Sequence, residues 1–356
     1  MIKTNGQLEE MKRLVDRLES RQWLEEREFE ALIENCGREG LADYLFQKSD
    51  CVRRKHFGNR IYIRGLIEFT NYCKNDCFYC GIRRSNQRAA RFRLSKDEIL
   101  SCCERGYGLG FRTFVLQGGE DGFFDDDRMG DIISAIRTGY EDCAITLSVG
   151  EKSRESYQRY FDAGANRFLL RHETADSGHY GRLHPEGLTL ENRKECLYNL
   201  KDIGFQVGCG FMAGSPGQTS RCLARDMEFL HELKPHMVGI GPFIPHKDTP
   251  FGGEPAGGAE LTLFMLGLVR LMLPKSLLPA TTALGTIVPG GRERGILAGA
   301  NVVMPNLSPN GAREKYQIYD NKLYTGCEGA EGLNRLKESM EAIGFQIAAG
   351  RGDAPA

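Results

Sequence analysis

The sequence lacks any apolar run long enough to cross a bilayer, and its first thirty residues lack the apolar segment of a signal peptide. It also lacks a strong charge of either sign, because 47 Lys and Arg residues nearly balance 48 Asp and Glu residues. No long run of one sign occurs. These absences argue against a membrane protein and against a nucleic-acid partner. We therefore expect a cytoplasmic protein that acts on a small molecule.

The chain has 12 cysteines but no extracellular context that would favour disulfides, so free thiols are expected. A tight group of such thiols predicts a metal site. One group is this tight, in the segment Asn71-Tyr-Cys-Lys-Asn-Asp-Cys-Phe-Tyr-Cys-Gly81.

Cys73, Cys77 and Cys80 are separated by three and then by two residues. Thiolates at this spacing can bind three irons of a [4Fe–4S] cluster and leave the fourth iron without a protein ligand. S-adenosylmethionine (SAM) can chelate that iron through its amino and carboxylate groups, which predicts reductive cleavage to methionine and a 5′-deoxyadenosyl radical. The alternative is a zinc-stabilised barrel without catalysis. Structural zinc normally needs four ligands, and no fourth Cys or His follows within the loop.

Short apolar runs alternate with helical patterns along most of the chain. The predicted strands are 60–69, 113–117, 144–149, 167–171, 206–212, 237–241, 280–282 and 301–304. The predicted helices between them are 96–109, 128–137, 153–163, 191–203, 219–233 and 261–273. Eight strands in this alternation predict an α/β fold of the (β/α)8 TIM-type barrel class, while an open doubly wound sheet is the alternative.

The barrel is predicted to have extensions at both ends. Apolar residues at helical spacing between residues 7 and 35 predict N-terminal helices. We expect N-terminal helices at 1–50, the barrel at 51–325, and a C-terminal helix with a flexible tail at 326–356. The tail is expected to fray from Ala348 onward because its residues are small and polar.

The segment after the second predicted strand is a candidate ligand site, because active groups of a parallel barrel lie at the carboxyl ends of its strands. Gly118 and Gly119 would let the backbone approach a ligand closely. Glu120 or Gln117 could then bind the ammonium group of SAM. An ordinary turn between strand and helix would explain the same residues.

With these motifs the chain resembles the radical SAM superfamily, in the branch that contains biotin synthase, methylornithine synthase and the [FeFe]-hydrogenase maturase HydE. It is most similar to HydE, from residue 60 to about residue 319. The segments that carry the resemblance are Cys-Gly-Ile-Arg-Arg (80–84), Val-Leu-Gln-Gly-Gly-Glu-Asp (115–121), Leu-Leu-Arg-His-Glu-Thr-Ala (169–175), Val-Gly-Ile-Gly-Pro-Phe-Ile-Pro-His (238–246) and Pro-Ala-Thr-Thr-Ala-Leu-Gly-Thr-Ile-Val-Pro-Gly-Gly (279–291).

The resemblance implies roles for residues that would otherwise be interpreted as surface, capping or core residues. Arg171, Glu173 and Arg193 would hold SAM, with Glu toward its cation and Arg toward its carboxylate. The other implied cofactor contacts are Tyr79, Thr146, Ser148, Met237 and Tyr316, and the implied substrate contacts are Thr281, Thr282 and Tyr319. We assign no acid or base role to His172 or His246, since each could be a hydrogen-bonded scaffold residue.

The resemblance also implies a function in assembly of the hydrogenase H-cluster. The substrate would be an Fe(CO)2(CN)cysteine-type synthon made by the maturase HydG. The implied protein partners are HydG, HydF and a one-electron donor such as ferredoxin or flavodoxin. The alternative is a methylornithine synthase-like enzyme, or another radical SAM mutase or thioether-active enzyme.

A second iron-sulfur cluster is predicted to be absent. Many HydE proteins bind one through three cysteines near the C-terminus, whereas this region of the chain offers only Cys327.

Overall fold

The structure is a computed structural model that describes residues 2–322 and 330–355. Within these residues the helices are α1 Ile2–Arg21, α2 Glu26–Glu34, α3 Leu41–Phe57, α4 Lys96–Gly108, α5 Asp126–Gly139, α6 Arg154–Asp162, α7 Ser177–Leu183, α8 Leu190–Ile203, α9 Ser220–Leu233, α10 Ala259–Met272, α11 Thr282–Ile287, α12 Gly291–Leu297, α13 Asn310–Lys315 and α14 Ala330–Ala342. The strands are β1 Arg60–Ile63, β2 Gly65–Thr70, β3 Thr113–Gly118, β4 Ala144–Ser148, β5 Arg167–Leu169, β6 Gln206–Cys209, β7 Met212–Ala213, β8 Met237–Val238, β9 Gly241–Pro242, β10 Val302–Val303 and β11 Gln346–Ala348.

The central sheet closes into a barrel. Strands β2, β3, β4, β5, β6 and β8 pair in this order, and all the pairs are parallel. The chain then continues around the barrel through parallel bridges from Met237 to Leu277 and from Pro279 to Val302. A last bridge from Leu66 to Asn306 returns to β2. The (β/α)8 barrel is therefore confirmed, and the open sheet is not.

The seventh strand lies earlier in the chain than the sequence indicates. Its bridges are at Leu277 and Pro279, not within the predicted range 280–282. Thr281 is instead the N-cap of α11, where its Oγ1 accepts a hydrogen bond from the Leu284 backbone N–H at 3.4 Å. A threonine favours this position because its hydroxyl satisfies a free N–H of the first turn.

The N-terminal helices pack directly on the outside of the barrel. Leu45 of α3 lies against Gly267 of α10 so closely that a Cβ on this glycine would be 2.9 Å from Leu45 Cγ. Helix α3 also runs without a break through residue 50, where a domain boundary is predicted. The second predicted boundary, at residue 325, lies outside the described residues, as does Cys327. Nowhere in the described ranges does a helix have the length and apolar character needed to span a membrane.

The C-terminal tail covers the amino-terminal end of the barrel. Strand β11 pairs with β1, and the residues after it reach the first residues of the barrel strands. Thr113 Oγ1 donates to the Arg351 carbonyl at 2.8 Å, and Arg167 Nη2 donates to Asp353 Oδ1 at 2.7 Å. The predicted fraying is therefore corrected for residues 348–355, because the fully buried Arg167 requires a carboxylate partner.

Candidate active site

The cysteine loop begins where β2 ends, at the carboxyl end of the barrel strands. Cys73, Cys77 and Cys80 are free and half-buried. Backbone hydrogen bonds fix the loop to three other parts of the chain: Lys74 N–H donates to the Glu120 carbonyl at 2.9 Å, Phe78 N–H to Leu183 at 2.9 Å, and Gly81 N–H to Ile318 at 2.9 Å. The loop is thus held in place by protein contacts on several sides.

Arg91 holds the same loop and the segment after it through hydrogen bonds to backbone carbonyls. Its Nη1 donates to the carbonyl oxygens of Asn71 and Ile82, the latter at 2.8 Å. Its Nη2 donates to those of Arg83 at 2.6 Å and Asn86 at 3.1 Å. Sequence reasoning missed this role, because a run of arginines after a metal motif is equally typical of a solvated surface.

The environment of the three thiols disfavours their charged form. Burial raises the pKa of Cys73 and Cys77, and it raises the pKa of Cys80 to about 12. The Glu120 backbone N–H lies 3.4 Å from Cys73 Sγ, where it would stabilise a thiolate. A bound metal must therefore displace protons from these thiols, as metal binding to cysteine generally does.

The glycines after β3 let two pieces of protein backbone approach each other. A Cβ on Gly119 would lie 2.2 Å from the Tyr72 carbonyl oxygen and 2.8 Å from Cys73 Cβ. A Cβ on Gly118 would lie 2.7 Å from Thr70 Cγ2. Close packing beside the cysteine loop thus explains why both positions are glycine. Their predicted approach to a ligand stays a prediction.

The two polar residues beside these glycines already have partners. Glu120 is buried, and its Oε1 accepts the Glu151 backbone N–H at 3.0 Å while its Oε2 lies 3.2 Å from Lys74 Nζ. Gln117 Nε2 donates to Tyr316 Oη at 3.4 Å. Glu120 thus faces the cysteine loop, and Gln117 faces the segment that crosses the barrel mouth.

A group of charged residues lies just after β5 and in α8. Arg171 Nη2 is 3.0 Å from Glu173 Oε2, and Arg193 donates to the Arg171 carbonyl at 2.7 Å and to Glu151 Oε1 at 2.5 Å. Glu173 has a φ of +66°, which is uncommon for a residue other than glycine and typical of functional sites. The structure therefore brings Arg171, Glu173 and Arg193 together, as predicted.

Two of these side chains have unused hydrogen-bonding capacity. Nε and Nη2 of Arg171 and Oε2 of Glu173 are buried and make no aligned hydrogen bond, although the two side chains are within ion-pair distance. Buried polar atoms of this kind normally have partners. The pair therefore suits a ligand that has both a cationic and an anionic group, such as the amino-acid end of SAM. Glu151, which holds Arg193, was not recognised from the sequence.

Tyr79 lies near the same group. Its Oη is 3.3 Å from Nε2 of His184, a buried histidine that stacks on Tyr180 with ring centroids 4.0 Å apart. These contacts place the Tyr79 ring between the cysteine loop and α7.

The hydroxyl residues predicted for the lumen lie on several elements. Thr146 on β4 is buried, and its Oγ1 makes no hydrogen bond. Ser148 on the same strand and Tyr319 are half-buried, while Tyr316 is buried. Burial raises the pKa of Tyr316, so its phenol stays neutral. Thr281 and Thr282 begin α11.

Met237 is not brought together with the cysteine loop. It lies at the beginning of β8 in an apolar cluster with Phe57, Leu277 and Val302. Arg64 Nη1 points at its sulfur from 2.7 Å. Because this cluster is at the amino-terminal end of the barrel, the predicted contact of Met237 with adenine has no support from this placement and stays a prediction.

Comparison with known proteins agrees with this geometry. Residues 67–230 match the radical SAM superfamily. The chain is 45% identical to the [FeFe] hydrogenase maturase subunit HydE of Thermotoga maritima over 310 residues, which cover 87% of this chain and 88% of the relative. The chain belongs to the HydE family of radical SAM enzymes. Both the superfamily and the branch indicated by the sequence are confirmed.

More distant members of the HydE branch also match. The chain is 29% identical to 3-methylornithine synthase of Methanosarcina barkeri, over 94% of each chain. The crystal structure of a methylornithine synthase superimposes with a TM-score of 0.82 at 25% identity, covering 94% of this chain and 97% of that one. The 45% identity to HydE is higher than either identity to a methylornithine synthase.

Membership in this family implies a [4Fe–4S] cluster and SAM, and the residues present are suitable for both. Three half-buried soft donors can hold three irons. Across residues 2–322 and 330–355, no three Cys, His, Asp or Glu side chains converge on one metal-ion position, as a structural zinc site would require. Ligands to three different irons need not converge in this way.

A buried ion pair beside the lumen was also missed. Glu68 of β2 accepts hydrogen bonds from Lys322 Nζ and, at 2.8 Å, from Asn306 Nδ2. Lys322 Nζ also donates to the Tyr316 carbonyl at 3.1 Å. This HydE-family barrel thus fastens the segment that carries Tyr316 to its first strand. No sequence signal could have paired residues 68 and 322.

The two histidines of unassigned role both form hydrogen bonds with neighbouring segments of the barrel. His172 is buried, with Nε2 3.2 Å from Asp226 Oδ1 and with Nδ1 accepting the Gly210 N–H at 3.3 Å. His246 Nδ1 accepts the Asp248 N–H at 3.1 Å, and its ring lies against Gly81. His172 thereby links the segment before Glu173 to Gly210 after β6 and to Asp226 of α9. His246 packs against Gly81 of the cysteine loop.

Proposed function

We propose that this protein is a HydE-type maturase that acts in the assembly of the hydrogenase H-cluster. The observation that carries the proposal is the 45% identity to the HydE of Thermotoga maritima over nearly the full length of both chains. The substrate would be an iron synthon with carbonyl, cyanide and cysteine ligands, supplied by HydG. A cytoplasmic location, with HydG and HydF as partners, belongs to the same proposal.

The proposed roles of the site residues follow from their contacts. Cys73, Cys77 and Cys80 would hold three irons and leave the fourth to SAM. When bound, the cluster would supply the one electron that reductive cleavage of SAM to methionine and the 5′-deoxyadenosyl radical requires. Glu173 would bind the amino group of SAM and Arg171 its carboxylate, since both have unused hydrogen-bonding atoms.

The lumen residues would hold the substrate and exclude water. The free Oγ1 of Thr146, an implied cofactor contact, can donate a hydrogen bond to a ligand bound in the lumen. Tyr316, fixed by Gln117 and by the carbonyl contact of Lys322, would close the lumen over SAM. Exclusion of water and reductants protects a reactive intermediate, which is the physical purpose of such a closed barrel. Thr281, Thr282 and Tyr319 are proposed as further substrate contacts.

We also propose that the protein holds a single iron-sulfur cluster. Outside the loop, eight of the cysteines in the described ranges lie on helices or barrel strands, or directly beside them, and six of these are buried. Cys327 alone remains in the C-terminal region. Iron and sulfide analysis of anaerobically reconstituted protein is expected to give one [4Fe–4S] cluster per chain.

The test of function uses reconstituted protein with SAM, dithionite and the product of HydG. The proposal predicts an adenosyl adduct of the iron synthon by mass spectrometry, and Cys77→Ser is the matched control without product. Turnover of lysine as the only reaction would instead establish the methylornithine synthase alternative. Colourless protein that contains zinc and no iron would establish the non-catalytic alternative.

A further inference from the structure

One exposed surface beside the cysteine loop combines aromatic rings with cations. Tyr72 and Phe123 are two of the four exposed large hydrophobic residues in the described part of the chain. The Arg93 guanidinium lies between them, 3.8 Å from the Tyr72 ring centroid and 4.7 Å from that of Phe123. The Arg128 guanidinium lies 4.5 Å from the ring centroid of Phe123. With Lys74, these residues form what we call the aromatic–cation face.

The outermost charges of this face are positive. The side chain of Lys74 is 64% exposed, whereas its partner Glu120 is 7% exposed. Arg93 is 34% exposed, whereas its partner Asp121 is 3% exposed. An approaching protein therefore meets the ammonium and guanidinium groups before it meets the carboxylates beneath them.

The carboxylates at the start of α5 do not reverse this sign. Asp125 is paired with Arg128 at 3.0 Å. Asp126 and Asp127 turn instead toward α6, where Asp126 accepts hydrogen bonds from Ser156 and Tyr160 and Asp127 pairs with Arg159. The most exposed charges of the face are therefore those of Lys74 and Arg93, each above a buried carboxylate, and a balanced pair lies at its edge.

The face adjoins a ligand of the proposed cluster. Tyr72 and Lys74 flank Cys73 in the chain, and the Tyr72 carbonyl lies within van der Waals distance of Gly119. Cys73 is half-buried, so a cluster that it holds would lie near the surface on this side. The reductive chemistry proposed above needs one electron from outside for each cleavage of SAM.

We propose that the aromatic–cation face is the docking surface for a small one-electron carrier protein with an acidic surface. This inference depends on the proposed function, because only a cluster in this loop needs the electron. The carrier loses one electron, the cluster gains it, and no bond or proton is exchanged. Exposed aromatic and arginine side chains are typical of interface centres, and complementary charge speeds a brief encounter.

The test compares a face variant with a distant control. Phe123→Ser with Arg128→Glu removes the protruding ring and reverses one charge, and glutamate is favourable in the first turn of α5. The control is Lys55→Glu, an exposed lysine of α3 near the amino-terminal end of the barrel. Both variants are reconstituted, and binding of an oxidised flavodoxin and of a gallium-substituted ferredoxin is measured by calorimetry at low and high salt.

The face variant is expected to bind at least one carrier about tenfold more weakly, with a shallower dependence on salt. The Lys55→Glu control is expected to bind like the unaltered protein. With dithionite, which needs no docking surface, the face variant should form deoxyadenosine at the unaltered rate.

Four results would overturn the docking proposal. The first is unchanged carrier binding by the face variant, and the second is an equal loss of carrier binding by the Lys55→Glu control. The third is no carrier binding by the unaltered protein, and the fourth is a face variant that loses only HydG-dependent product formation. Absence of deoxyadenosine from the unaltered protein with dithionite would instead overturn the proposed function. The two failures are therefore distinguishable.

Discussion

Replacing Gly119 with alanine tests whether the glycine after β3 positions the cysteine loop. The φ of this residue is not positive, so alanine can adopt its backbone conformation and the effect is steric. The added Cβ would be 2.2 Å from the Tyr72 carbonyl oxygen and 2.8 Å from Cys73 Cβ. An ordinary contact of carbon with a carbonyl oxygen is about 3.3 Å, so the loop must move by about 1 Å.

The expected consequence is a defect in the cluster and in catalysis. The clashing atoms belong to the backbone and to a Cβ, which cannot rotate away. Overpacking of this kind costs about 1–3 kcal/mol of folding free energy. A misplacement of about 1 Å at a reacting group costs on the order of 100-fold in rate. We therefore expect Gly119→Ala to hold less iron and to form deoxyadenosine about 100-fold more slowly.

The assay is iron content together with the initial rate of deoxyadenosine formation from SAM and dithionite. Gly122→Ala is the matched control, because it lies three residues further along the same loop and its Cβ would meet no atom within 4 Å. It should behave like the unaltered protein. A Gly119→Ala protein with a full cluster and an unaltered rate would refute the argument that this close approach sets the position of Cys73.

Three further predictions concern the site and its scaffold. Cys77→Ser should abolish deoxyadenosine formation and leave the far-ultraviolet circular dichroism unchanged, because the barrel closes without the loop; retained cleavage would contradict this. Asp353→Ala should lower the free energy of unfolding by about 2 kcal/mol in urea titrations. This loss is smaller than that from breaking a fully buried pair, because Asp353 is 39% exposed. Adding Arg167→Met to the Asp353→Ala protein should suppress most of the loss. Burial lowers the pKa of His184 to about 4, against about 6.5 in an unfolded chain. The free energy of unfolding should therefore be unaffected by this histidine above pH 6.5 and should fall by up to about 3 kcal/mol as the pH drops toward 4. His184→Gln should lack that part of the pH dependence, and identical pH profiles would show that the histidine is not protected.

Sequence reasoning succeeded where the signal is local. The alternation of strands and helices is repeated along the chain, so one displaced strand near residue 280 did not obscure the barrel. The spacing of Cys73, Cys77 and Cys80 is also contained in a single loop. These features can be inferred without knowing which distant residues meet.

Contacts between distant parts of the chain could not be inferred. Glu68 meets Lys322 and Arg167 meets Asp353 only because the barrel closes and the C-terminal segments return to it. The composition of the tail therefore predicts fraying, whereas in the structure Thr113 and Arg167 of distant strands form hydrogen bonds with it. Met237 begins its predicted strand, so its place at the amino-terminal end of the barrel could be inferred from the sequence, and its predicted contact with adenine rests on the family resemblance alone.

The measurement that tests the central claim most directly is magnetic resonance of the reduced cluster with isotopically labelled SAM. If three thiolates leave one iron free, electron–nuclear double resonance will show coupling of the cluster to 15N in the amino group of SAM and to 17O in its carboxylate. Cys77→Ser will show neither coupling. A reduced iron-sulfur cluster in the unaltered protein that shows no coupling to either label would contradict the account.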